Sequence, residues 1–224
     1  LSMGPQHPST HGVLRLLLEL DGETVVNVAP DIGFLHPGIE KTMESKTYTQ
    51  ALVMTDRMDY LSPMSNNLGY ILAVEKLLGV EATPRAQVIR VILTELTRIA
   101  SHLVWLGTSS LDLAAMTMFL YCFREREFIF DIFEMCSGQR MMTSYFRPGG
   151  LWRDVPEEFV PAVRQFLDFF PGRIADYEAL LKQNPIYLKR TKDIGGITAE
   201  QAIDMGLTGP SLRGSGVDLD WRKA

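Results

Sequence analysis

The spacing of apolar side chains divides the sequence into a short β part and a long helical part. Residues 13–20 are apolar-rich with partial alternation, and residues 23–29 repeat that character after Asp21-Gly22. Two strands around an Asp-Gly turn predict a hairpin. Residues 31–38 hold His36-Pro37-Gly38 and read as loop, and from Ile39 the pattern turns helical. Thr83-Pro84 supplies an N-cap and a first-turn proline. Val88, Ile92, Leu96, Ile99, Leu103 and Leu106 follow at spacings of four, four, three, four and three, which predicts one buried stripe of a long helix. Gly107-Thr108-Ser109-Ser110 reads as its break. A second long helix is expected over residues 111–137, apolar on most sides through Phe123, with Arg124-Glu125-Arg126-Glu127 in its middle. Residues 156–170 and 172–181 read as two amphipathic helices separated at Pro171-Gly172. After Asn184-Pro185 the chain reads as loop-rich, with one short helix over residues 198–205. The expected fold class is α+β, mainly α, with a small N-terminal β hairpin or sheet packed on a bundle of long helices. The expected organisation is a β element with its loop over 1–38, a helical bundle over 39–183 and a loop-rich segment over 184–224.

Composition narrows the function classes. The 224 residues are 46% hydrophobic and 22% charged, enough for a sizeable core. A net charge of -5 argues against a general nucleic-acid binder. The longest apolar run, residues 113–123, is too short to span a membrane. Cys122 and Cys136 lie fourteen residues apart on one predicted helix, on nearly the same face. They read as core thiols rather than a disulfide framework, and a reducing compartment is the default. Both ends read as cut, so the chain is expected to be a fragment of something longer.

Candidate chemistry concentrates in Gly4-Pro5-Gln6-His7-Pro8-Ser9-Thr10-His11-Gly12. The prolines argue against a helix, so His7 and His11 do not simply stack on one helical face. Two imidazoles on a loop suit proton transfer near neutral pH. They also suit hydrogen bonding within the loop, or metal ligation. No helical H-E-x-x-H accompanies them, and a zinc site needs further ligands. Tyr60 in Asp56-Arg57-Met58-Asp59-Tyr60 reads as a packing anchor or a functional phenol. Asp112 reads as an acid in the first turn of the second long helix, where the dipole favours a carboxylate. Residues 206–216 are glycine-rich but lack the ending of a phosphate loop, and no G-x-G-x-x-G joins a strand to a helix.

Six segments in one order carry a family resemblance. They are the segment from Gly4 to Gly12, Gly38-Ile39-Glu40-Lys41, the segment from Asp56 to Tyr60, Glu95-Leu96-Thr97-Arg98-Ile99-Ala100-Ser101-His102-Leu103, Arg147-Pro148-Gly149-Gly150 and Gly206-Leu207-Thr208-Gly209-Pro210. The chain resembles the D-type, quinone-site subunit family of the respiratory NADH–quinone oxidoreductase, complex I. That family is similar in ancestry to the large subunit of nickel–iron hydrogenases. The resemblance implies the quinone-binding component of a proton-pumping enzyme, inactive as an isolated chain. It also implies a peripheral position on the cytoplasmic side of a bacterial inner membrane. Partners would be the other complex I subunits, above all the iron–sulfur subunit and the membrane subunit that channels quinone. The cofactors would be quinone as substrate, ubiquinone or menaquinone, and a 4Fe-4S cluster held by the neighbour.

By position, the resemblance places His11 and Tyr60 at the quinone headgroup, Asp112 behind the histidine, and Thr108 and His7 along the cavity. It places Arg57 beside the neighbour's terminal cluster. Met142 stands where the family commonly carries a histidine, so a proton taken up there with an electron is not expected. Two rival readings stand beside this one. A hydrogenase-like catalyst would need cysteine pairs, and the N-terminal pair is absent. A non-catalytic scaffold of a related membrane redox complex is the other.

Overall fold

A computed structural model describes residues 1–223. The chain divides into two compact units, residues 1–172 and residues 173–224. The first begins with an antiparallel sheet of β1 (Ser2–Met3), β2 (Arg15–Asp21) and β3 (Thr24–Asp31), in the order β1-β2-β3. The expected hairpin is there. Asp21 pairs with Thr24 across Gly22 and Glu23, and Gly22 adopts φ +62° to make the turn. The partner strand β1 has no signal in the sequence pattern. A register shift at Glu19/Leu20 breaks the alternation of β2, and Leu17, Leu20, Val25, Val26 and Val28 are all exposed.

The helices follow as α1 (Ile39–Met43), α2 (Tyr48–Thr55), α3 (Pro63–Leu78), α4 (Pro84–Asp112), α5 (Met116–Ser137) and α6 (Phe159–Leu181). The fold is therefore α+β and mainly α, as expected. Its core lies between α4 and α5, closed by Leu93, Leu96, Ala100 and Leu103 from one helix and Met118, Cys122, Ile129 and Phe133 from the other. Thr83 caps α4 as expected, accepting from the Ala86 amide at 3.4 Å with Pro84 in the first turn.

Several boundaries and faces differ from those the sequence pattern predicts. The segment from Gly107 to Ser110 does not break the first long helix. Gly107 is buried, and a Cβ there would stand 3.3 Å from the Cβ of Cys122 and 3.4 Å from the Cα of Phe119. It is a close-approach glycine that lets α5 come in. The break falls instead at Leu113 to Ala115, where Ala114 takes a positive φ of 66°. Asp112 accordingly ends α4 rather than opening α5. The buried face of α4 is also rotated from the apolar stripe. Val88 is exposed, while Arg90, Thr94 and Thr97 are buried beside Ile89, Leu93 and Leu96.

Pro171 lies inside α6 and does not separate two helices. An interior proline costs about 3 kcal/mol. Before it, the helix buries Phe159 and Phe166, and Phe166 stacks on Phe170 at 4.9 Å, which offsets that penalty. Among the described residues after α6, the second unit holds three short helices, α7 (Pro185–Thr191), α8 (Ala199–Asp204) and α9 (Gly209–Gly214), where the sequence pattern predicts one. Among the described residues no helix is long and apolar enough to cross a membrane.

Candidate functional site

The histidine loop is built from its inside. Thr10 is buried, and its hydroxyl sits 3.0 Å from the carbonyls of both Pro5 and His7. The amides of Val13 and Leu14 donate to the Thr10 carbonyl at 3.0 and 3.2 Å. Gly4 seals the far side. It adopts φ +82°, and a Cβ there would stand 2.2 Å from the Leu14 carbonyl oxygen, so no other residue fits. Pro8 to Thr10 form a single 3-10 turn capped by His7, whose Nδ1 accepts from the Ser9 amide at 3.1 Å. A neutral ring accepting at Nδ1 carries its proton on Nε2. His11 follows at φ 53°, in the left-handed region. Both imidazoles are exposed.

The tyrosine loop joins α2 to α3. A capping box of Thr47 and Gln50 starts α2, and Pro63 opens α3. The amides of Arg57 and Met58 donate to the carbonyls of Met54 and Thr55 at 3.1 and 3.3 Å, which curls the chain outward. The Asp59 carbonyl accepts from the Ser62 amide at 3.0 Å and from Asn66 Nδ2 at 2.9 Å, which fixes the other end. Tyr60 is thereby left 45% exposed, open to a ligand. Arg57 is exposed, with Nη1 2.7 Å from the Val53 carbonyl. Beside this loop a groove of about 490 Å3 of mixed character is lined by Asp59, Asn66, Arg98 and His102 together with Leu68 and Leu72.

Underneath lies a buried polar node. The Asp56 carboxyl is fully buried. Ser144 Oγ donates to its Oδ2, while Oδ1 has no partner among the described residues. Burial pushes the Asp56 carboxyl above its ordinary range, against the opposing effects of the Ser144 bond, the neighbouring Asn67 amide and the charge of Arg57. Arg147 faces it and donates to the carbonyls of Ser144 and Phe146. Arg147 belongs to a two-stranded turn, β4 (Phe146–Arg147) and β5 (Gly150–Leu151).

Arg90 holds that turn. It pairs with Glu75 through two bonds, 2.7 and 3.1 Å, and Nη2 also reaches the carbonyls of Arg147 at 2.8 Å and Gly150 at 2.9 Å. The Gly149 amide donates to Glu75 Oε1 at 2.8 Å. Bonds from Arg90, first, and from Gly149 hold the Glu75 carboxyl below its ordinary value, despite burial. The only sequence signals for this node are two motifs, Asp56 to Tyr60 and Arg147 to Gly150. Nothing in their spacing announces that they meet.

The remaining expected residues lie apart from the node. Thr108 is half-buried on α4 and its hydroxyl donates back to the Val104 carbonyl at 2.8 Å. Asp112 is exposed at the C-terminal end of α4, where the helix dipole does not favour a carboxylate. Among the described residues no hydrogen bond or ion pair joins His11, Tyr60 and Asp112. Met142 is half-buried in the connection between α5 and β4, two residues before Ser144. Cys122 and Cys136 are fully buried and their thiols are pushed up, to about 11 and about 12. Neither supplies a thiolate at neutral pH. Among the described residues no three His, Cys, Asp or Glu side chains are grouped to hold a metal. Among the described residues, the two cysteines are buried and are not grouped with other ligands as an iron–sulfur cluster would require.

Comparison with known proteins gives the family. Residues 112–224 match the family described as respiratory-chain NADH dehydrogenase, 49 Kd subunit. The whole chain is 68% identical to the D-type subunit of NADH-quinone oxidoreductase from Chloroflexus aurantiacus, covering 54% of that protein. It is 69% identical over 223 residues to the protein of the same kind from a Roseiflexus species, again covering 54% of the relative. The relative from Geotalea uraniireducens is 63% identical over 223 residues and 57% covered. The chain spans about half the length of the curated relatives it matches. The loops bearing His11, Arg57 and Tyr60 precede the family match and are covered by these whole-chain relatives.

Proposed function

The chain belongs to the respiratory-chain NADH dehydrogenase 49 Kd subunit family, and from that premise we propose that it forms the quinone-reduction cavity of an NADH–quinone oxidoreductase together with an iron–sulfur neighbour. The observation that carries this reading is 68% identity, over every residue of the chain, to a component of an enzyme of that name. The exposed Tyr60 and His11 support it, because a headgroup site needs side chains open to a ligand. The enzyme works at the cytoplasmic face of a bacterial inner membrane, pumps protons, and adds a membrane subunit that brings in the quinone.

In this reading the quinone headgroup lies between Tyr60 and His11. Two-electron reduction leaves negative charge on two oxygens, and both are protonated. A phenol and an imidazole each donate a hydrogen bond to one oxygen and a proton as charge develops. Asp112 supports the protonated His11 once the complex is assembled. Thr108 and His7 line the cavity. Arg57 faces the side from which electrons arrive. The electrons come from outside this chain, and no step is assigned to a metal bound here.

Tyr60→Phe in the assembled complex tests the reading. The ring is kept and the hydroxyl is lost. Quinone turnover is expected to fall by about 10²-fold or more, the scale of one general acid. Assembly and inhibitor binding are expected to persist. Turnover equal to that of the unaltered enzyme would remove Tyr60 from the headgroup.

A further inference from the structure

We propose that Arg90, Glu75 and Ser144 form a positioning relay that fixes the loop of Arg57 to Tyr60 from beneath. The inference rests on the quinone-site reading of that loop and adds to it the residues that hold the loop in place.

The relay is continuous in the structure. Arg90 is 2% exposed and Glu75 is 6% exposed, so neither serves solvent. Their pair bridges α3 and α4, and three further bonds run from it to the backbone of the turn at 147–150. A guanidinium fork can hold both oxygens of a carboxylate and two carbonyls at once, one acceptor more than the three donors of a lysine can reach. The turn aims Arg147 back at the Ser144 carbonyl. Ser144 in turn holds φ 39°, a left-handed conformation that a non-glycine residue keeps only where its surroundings over-determine it. Its reward is the bond from its hydroxyl to Asp56, 88 residues earlier in the chain. Asp56 is the residue immediately before Arg57. Asp59 pins the far end of the loop through Ser62 and Asn66. The loop thus hangs from two fixed points, one of them set by a buried ion pair.

Positioning acts on the transition state, where small displacements of a donor are costly. Weakening the relay should therefore lower kcat while leaving KM and inhibitor affinity nearly unchanged. The experiment uses the assembled complex with Ser144→Ala, which removes the last link and leaves the buried pair intact, and with Arg90→Lys. Each is expected to lower quinone kcat about tenfold with KM within about twofold. Ser144→Ala is also expected to add little to Tyr60→Phe, because it acts through the same loop. A purely structural role would instead change the amount of assembled complex and spare kcat per assembled enzyme.

Unchanged kcat in Ser144→Ala, or effects that multiply fully with a Tyr60→Phe that itself impairs turnover, would overturn the relay. A silent Tyr60→Phe beside an impaired Ser144→Ala would sink the headgroup assignment of Tyr60 and keep the relay. A silent Ser144→Ala beside an impaired Tyr60→Phe would do the reverse.

Discussion

The histidine loop and the node around Asp56 solve the same problem by opposite means. Both present exposed polar side chains on short irregular segments. The histidine loop gets its rigidity from neutral parts, namely a glycine with no room for a side chain, one buried hydroxyl and backbone bonds. The node relies on buried charge, with an ion pair, a carboxyl with a free oxygen and a strained serine. Neutral scaffolding tolerates changes in salt. Charged scaffolding fixes direction more sharply, but it fails badly when one partner is lost.

The hardest test of that contrast is Arg90→Met. It leaves Glu75 buried without its partner, and about 3–5 kcal/mol of stability should be lost. Urea unfolding would read it. Replacing both members, Glu75→Leu with Arg90→Met, should recover part of the loss, because no uncompensated charge remains. If the double variant is no better than the single, the backbone bonds to the turn carry the stability, and the charge does not.

The histidine loop should break more gently and more locally. Gly4→Ala forces a Cβ against the Leu14 carbonyl oxygen, and about 1–3 kcal/mol should be lost as the loop shifts. Hydrogen exchange at the Val13 and Leu14 amides should speed up while the helical core stays protected. Equal loosening of α4 and α5 would mean that the loop and the bundle unfold together.

The smallest effect is a difference in sign. The Asp56 carboxyl is raised above its ordinary 3.8, so its contribution is full below that value and is lost as pH rises through the folded value. Glu75 is lowered below its ordinary 4.5, so its contribution is full above that value and is lost as pH falls through the folded value. Asp56→Asn should therefore gain stability relative to the unaltered chain as pH rises from below about 3.8 toward neutral. Urea midpoints across that range would show it. A gap that stays flat or shrinks would mean that the Ser144 bond, the neighbouring Asn67 amide and the charges of Arg57 and Arg147 outweigh burial.

What is legible in the sequence follows from how far apart the interacting residues are. The hairpin is readable because an Asp-Gly turn acts on its neighbours alone. The start of α4 is readable because Thr83 and Pro84 act within one turn. The end of α4 is not, because Gly107 carries two meanings. Glycine breaks a helix by its freedom, and it also admits a neighbouring helix by its size, and only the position of Cys122 decides between them. The buried face of α4 is hidden too, because Arg90 looks like a surface residue until Glu75 and the turn at 147–150 are in place. The candidate residues come from motif order, and His11 and Tyr60 need no fold to be noticed. Asp56 and Ser144 stay hidden because a hydrogen bond across 88 residues leaves no local pattern.

The two buried cysteines have a practical consequence for experiments. Thiol reagents attack through the thiolate, and with values pushed to about 11 and about 12 and no exposure, Cys122 and Cys136 offer almost none near neutral pH. Toward a maleimide or a spin label, the folded chain behaves as if it carried no cysteine. A single thiol placed on the surface, as in Met58→Cys beside Tyr60, would then be the one labelled position, with no need to remove the native pair. Pulsed distance measurements between such a label and a second at Trp105→Cys would follow the tyrosine loop directly, with the interior undisturbed.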